Sequence, residues 1–167
     1  MKKIKRLSLN GLKETCLLLD DTTKMSILGG GGKVNISNGT LENMQNGVQY
    51  VGTDGTTCFF EGVNFVIGGT LENTAYQFNG TIHIDESWLK NGFNVDNFAH
   101  EYGHHLQQQE MGTLYYFAYV AIPSVWNEWA EGGSGHSSMP YEKDADKRGS
   151  DYYNKNKHVL KSDPNGK

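Results

Sequence analysis

At Val95 the chain changes period. Within residues 32–90, runs rich in Val, Ile, Phe, Tyr and Thr (GVQYVG, TTCFFEGVNFVIGG, AYQFNGTIHID) are separated by Gly, Asn and Asp turn signals. These runs read as strands, and the Asp54-Gly55 pair between two of them reads as a hairpin turn. From Val95 onward, Val95, Phe98, Ala99, Tyr102 and Leu106 recur every three or four residues, the apolar stripe of a helix. Asn94 or Asp96 stands ready to cap its start. A β-rich half followed by a helical half predicts an α+β fold, with a small, mainly antiparallel sheet packed on that helix. A chain of 167 residues is long enough to bury one core of its own.

Inside the predicted helix lies His100-Glu101-Tyr102-Gly103-His104, an H-E-x-x-H pattern. Residues four apart on a helix stand nearly above one another, so both imidazoles can converge on one ion. Glu101 is rotated by about 100°, beside the open coordination position and not on the metal. The bland alternative is a wet helix face with scattered histidines. Against it, the apolar stripe is in register, which puts His100 and His104 off the core face. The pattern predicts a zinc site with Glu101 as general base.

Zinc held by two histidines asks for a third protein ligand and a water. Glu110 stands where the metzincin pattern has its third histidine, but Gln107 replaces that pattern's glycine. Glu142, in YEKDAD, is the better candidate. Asp146 follows it by one helical turn and could accept the free ring N–H of His100 or His104. His136 precedes Glu142 in the glycine-rich loop, where it could steady an oxyanion, serve as an alternative ligand, or do neither. Tyr141, Tyr152 and Tyr153 are weaker candidates for the oxyanion role. His105 points away from the 100/104 face and is expected in solvent. His83 faces opposite to Ile82 and Ile84, and its strand could be the edge that pairs with an extended peptide. Trp126 and Trp129 read as packing residues.

HEYGH followed by EKDAD resembles the gluzincin branch of zinc peptidases, with its H-E-x-x-H and E-x-x-x-D helices. The resemblance extends to small bacterial proteins carrying HEYGH…GPLY…IPS…EKxA, and covers roughly residues 80–150. It implies a minimal zincin-like domain that hydrolyses peptide bonds in a peptide or protein substrate. By that likeness His100, His104 and Glu142 are the zinc ligands, Glu101 is the general base, and Asp146 supports a ligand from behind. Gly103 would let the glutamate-bearing helix approach closely. The chain is short beside larger relatives, which leaves little room for a second lobe.

The remaining segments bear on location and partners. The net charge is −4 with the charges interspersed, so nucleic acid is not an expected partner. Residues 111–126, MGTLYYFAYVAIPSVW, are the most apolar stretch, broken by Gly112 and Pro123. They fall short of the roughly 20 residues a spanning helix needs. A buried helix is expected there, with membrane contact as the alternative. Residues 154–167 read as a frayed tail. Cys16 and Cys58 match no zinc or redox spacing.

The N-terminus, basic and Leu-rich and closing on KMSILGGGGK, resembles the double-glycine leaders of exported bacterial peptides. Such leaders are cut by the peptidase domain of a dedicated ABC transporter. A cut after Gly31 puts Leu28 and Met25 at the leader's apolar positions; a cut after Gly30 puts Ile27 and Lys24 there. The likeness implies a leader over residues 1–31, a domain over 32–167, and a secreted product. A chain that keeps its first 31 residues would be a cytoplasmic peptidase instead. A rival reading is an exported bacteriocin-like or partner-binding protein that acts on a membrane through residues 111–126, its zinc only structural.

Overall fold

A computed structural model describes residues 32–68, 72–123 and 136–160, the side chain of His136 excepted. The leader-like segment, Trp126, Trp129 and residues 161–167 lie outside the described residues. β1 (Lys33–Ile36), β2 (Gly39–Met44), β3 (Gly47–Gly52) and β4 (Thr56–Glu61) form an antiparallel meander. The predicted hairpin joins β3 to β4: Gly55 takes φ 82°, and Asp54 Oδ1 accepts the Thr56 N–H at 2.9 Å. Along β4, Thr56, Cys58 and Phe60 are buried while Phe59 and Glu61 face out, the period of a one-sided sheet.

Where one sheet was expected there are two. The run TTCFFEGVNFVIGG breaks at Gly62, whose φ of 76° ends β4 and redirects the chain. β5 (Asn64–Ile67), β6 (Ala75–Phe78) and β7 (Thr81–Ile84) then form a second sheet in the order β5-β7-β6. β5 runs parallel to β7 there, and β6 antiparallel. α1 (Glu86–Asn91), capped by Asp85, closes the stretch that the sequence read as strands alone.

α2 (Val95–Met111) is the predicted central helix. Asn94 Oδ1 accepts from the Asp96 and Asn97 N–H groups at 2.8 and 3.1 Å, and Asn97 Oδ1 accepts from the Asn94 N–H at 3.0 Å. This reciprocal cap stabilises the helix start by about 1 kcal/mol. The stripe Val95, Phe98, Ala99 and Tyr102 is buried. Phe98 lies 5.0 Å from Phe60 of the first sheet and 6.4 Å from Phe65 of the second, so α2 rests on both. Each such ring taken out of water contributes about 1.5–3 kcal/mol.

The segment after α2 is not the buried helix expected. Gly112 (φ 80°, ψ 151°) breaks the chain, which resumes as α3 (Thr113–Tyr116) and a π-helical turn (Phe117–Ala121). Tyr116 and Val120 point inward; Leu114, Tyr115, Phe117, Tyr119 and Ile122 are exposed. The core-facing side of α2 is already taken by the two sheets and by the next helix, so this segment can cover it with one face only. Among the described residues no helix is long and apolar enough to cross a membrane.

A 3-10 turn (His136–Ser138) leads into α4 (Pro140–Asn156), and β8 (His158–Val159) pairs with the outer side of β4. The frayed tail expected from residue 154 is therefore corrected as far as residue 160: Thr57 Oγ1 donates to the His158 carbonyl, and Tyr152 and Tyr153 stack on Phe60 at 6.0 and 6.4 Å.

α4 presses directly onto α2. A Cβ at Gly103 would stand 2.0 Å from the Ala145 carbonyl oxygen, and one at Gly149 would stand 1.8 Å from that of Ala99. Ala99 and Gly103 on one helix thus interlock with Ala145 and Gly149 on the other. Gly103→Ala or Gly149→Ala should destabilise the protein by about 3 kcal/mol, because the obstacle is backbone and cannot rotate away. Urea unfolding measures this, with Gly32→Ala, which meets nothing within 4 Å, as the control. A loss below about 1 kcal/mol in both helix variants would contradict the packing.

Candidate metal centre

The close crossing of α2 and α4 brings the predicted ligands together. His100 Nε2 and His104 Nε2 each lie 3.2 Å from the same Glu142 oxygen. One ligand atom from each of His100, His104 and Glu142 falls within 4.8 Å of the others. Glu142 is 1 % exposed, and its carboxylate lies against both imidazoles. Two imidazoles and a carboxylate converging in this way are a donor set that fits a divalent metal ion.

Both rings are held from behind. His100 Nδ1 donates to Asp146 Oδ1 at 2.7 Å, which settles the partner of Asp146 as His100 and not His104. His104 Nδ1 lies 2.9 Å from Gln107 Oε1. Gln107 Nε2 donates to the Tyr141 carbonyl (2.7 Å) and to Asp144 Oδ2 (2.9 Å), which are acceptors only. The Gln107 amide therefore has one orientation, and its oxygen must accept from His104. Both Nδ1 atoms carry hydrogen in this arrangement, which leaves each Nε2 to face Glu142. Gln107 was marked in the sequence only by its departure from the metzincin glycine; its i,i+3 spacing from His104 was the available signal.

Glu101 lies beside the triad without joining it. Its carboxyl is 5 % exposed and shares a cleft of about 240 Å3 with His100, His104 and Glu142. Burial raises its pKa against the pull of His104 and His100, and the main-chain N–H of Gln77 on β6 bonds to it. The apolar side of the cleft comes from Tyr116, Phe117, Val120 and Ala121, the other side from β6. A wider hollow of about 430 Å3, lined by Met111, Tyr115 and Tyr119, contains no ligating group.

Several expectations need correction. His105 is 4 % exposed, not solvated: its ring turns toward Tyr102, 5.5 Å away, and under Gly62, because its face of α2 is the one the sheets cover. β7, which carries His83, is the middle strand of its sheet, so the free edge belongs to β6. Tyr152 and Tyr153 pack on the core, and Tyr152 donates to the Phe59 carbonyl at 3.0 Å. The main-chain carbonyl of Tyr141 accepts from Gln107, a contact that leaves the Tyr141 hydroxyl unassigned, and Glu110, already set aside as a ligand, pairs with Arg148. The side chain of His136 lies outside the described residues. Tyr116, which the sequence did not single out, lines the cleft, as does Tyr76 of β6.

Comparison with known proteins assigns no family: no family model, no curated protein and no solved structure matches the chain. The chemistry has to be read from the chain's own residues.

Without a metal ion, burial disfavours protonation of His100, but the Glu142 and Asp146 carboxylates and nearby Glu101 outweigh it and raise its pKa to about 9. A ligating imidazole must lose that proton. Metal affinity should therefore climb as pH rises toward 9, by about tenfold per unit below it. Competition titrations with a chromogenic chelator from pH 6 to 9 measure the slope; an affinity flat across this range would contradict the ligand assignment.

Proposed function

We propose that the protein is a zinc-dependent peptidase built on a minimal zincin-like domain. His100, His104 and Glu142 hold the zinc, and Asp146 and Gln107 fix the two rings. One observation carries the reading: Glu101, a buried carboxyl that is not a ligand, opens into the same cleft as the triad. A structural metal site has no use for such a group.

When bound there, zinc supplies Lewis acidity, making water acidic near neutral pH and polarising the scissile carbonyl. Glu101 takes the proton of the attacking water and later delivers it to the leaving amine. Its raised pKa suits both tasks, since the group must gain and then release a proton. β6 supports an extended substrate. Asn79 and Gly80 take φ 49° and 78°, as in a two-residue hairpin turn, and Thr74 O accepts the Asp85 N–H at 2.9 Å. That parity bonds Tyr76 and Phe78 to β7 and turns the main chain of Ala75 and Gln77 toward the open side. The Gln77 N–H is engaged by Glu101, and the other outward groups remain for a peptide strand.

The leader-like N-terminus extends the proposal to location: residues 1–31 would direct export through a leader-cleaving ABC transporter, and the peptidase would act outside the cell. A second reading has its own observation. The exposed face of Leu114, Tyr115, Phe117, Tyr119 and Ile122 suits a membrane-active or partner-binding protein whose zinc is structural.

Glu101→Gln separates the two. The variant should keep zinc and fold yet lose nearly all hydrolysis of a mixed peptide library, because the amide cannot take up a proton. Equal hydrolysis by wild type and variant would remove the enzyme assignment. Vesicle leakage that persists in the variant would favour the membrane reading.

A further inference from the structure

Three tyrosines lie in the short stretch after α2, and they are treated differently. Tyr115 and Tyr119 are 63 % and 66 % exposed and stack on each other at 5.8 Å. Tyr116 is 4 % exposed, its ring edge-on to His104 at 6.3 Å. Gly112 and the π-helical turn set this orientation, sending Tyr116 and Val120 into the cleft while Tyr115 and Tyr119 face out.

Burying a hydroxyl without a partner is costly, and Phe would fill the same space. Among the described residues the Tyr116 hydroxyl has no hydrogen-bond partner, yet it is not a sealed orphan, so it opens into the cleft. The other lining donors are spent or turned elsewhere. Gln77 Nε2 donates to Gln108 Oε1 at 2.9 Å, both histidine Nδ1 atoms are engaged, and Tyr76 lays its ring on His83 at 4.6 Å. Among the described residues the cleft is otherwise lined by carboxylates and apolar side chains, which can offer nothing to an oxygen that becomes negative.

We infer that the Tyr116 hydroxyl is the hydrogen-bond donor to the scissile carbonyl oxygen of the substrate. The inference rests on the peptidase reading. As water adds to the carbonyl carbon, the C=O π pair moves onto that oxygen and Glu101 takes the water's proton. When the adduct collapses, the C=O re-forms, the C–N bond breaks, and the proton on Glu101 goes to the amine. Tyr116 keeps its own proton throughout and bonds more strongly as the oxygen gains charge. A tyrosine hydroxyl ordinarily titrates at about 10, so it stays a donor near neutral pH.

The test compares wild type, Tyr116→Phe and Glu101→Gln as zinc-loaded full chains. Tyr116→Phe removes one oxygen atom. It should lower kcat about 100- to 1000-fold with KM nearly unchanged, while zinc stoichiometry and thermal midpoint stay at wild-type values. A phosphinic peptide, which mimics the tetrahedral adduct, should lose affinity by the same factor as kcat/KM. Full kcat in Tyr116→Phe beside an inactive Glu101→Gln would overturn the role of Tyr116 and leave the peptidase reading intact. Loss of zinc or of thermal midpoint together with activity would make Tyr116 a structural residue and overturn it as well. A wild-type protein that hydrolyses nothing would overturn the peptidase reading first, and the Tyr116 role with it.

Discussion

The backbone-to-backbone contact between α2 and α4 is the constraint on which the rest depends. Gly103 sits against the Ala145 carbonyl and Gly149 against that of Ala99, with no room for a side chain at either glycine. A carboxylate is a short ligand, so Glu142 reaches both imidazoles only because its helix lies this close. The same crossing sets Asp146 behind His100 and brings Tyr141 and Asp144 within reach of Gln107. One steric match therefore places the ligands and also the groups that orient them. The sheets act at one remove: Phe60 and Phe65 seat Phe98, and this fixes the rotation of α2 about its axis.

Electrostatics explains why such an arrangement points to a cation. Glu142 is nearly fully buried and Glu101 almost so, with Asp146 at the rim, and the His100 and His104 imidazoles lie against these carboxylates. Burying carboxylates without full compensation is expensive, which makes the cluster a poor stabilising device. The metal-free protein answers by drawing a proton onto His100. A divalent ion would balance the cluster better and leave Glu101 to exchange protons. On the proposed metal site, the cost of assembling the cluster is borne for binding and not for folding.

Much of this was legible in the sequence, and the failures have physical causes. The strand runs, the Asp54-Gly55 hairpin and the capped helix stripe rest on local periodicity and spacing, which survive folding unchanged, while the pairing of HEYGH with EKDAD came from the resemblance to zinc peptidases. Gly62, inside an apparently continuous strand, carried the split into two sheets but could as well have marked a bulge. The burial of His105 depends on how far the sheets wrap around α2, a tertiary fact that no helical wheel contains. The apolar stretch from residue 111 was overrated because apolar content predicts burial only where a partner surface is available, and here one face suffices. Gln107 and Tyr116 went unassigned for a related reason: neither residue type announces a role until its neighbours are in place.

The central claim, that two histidines of one helix and a glutamate of another hold zinc, is tested most directly by X-ray absorption on the zinc-loaded protein. The account predicts two imidazole nitrogens at about 2.0–2.1 Å, oxygen at about 2.0–2.2 Å, and no sulfur near 2.3 Å. A sulfur shell, or a zinc surrounded by oxygen alone without imidazole scattering, would contradict it.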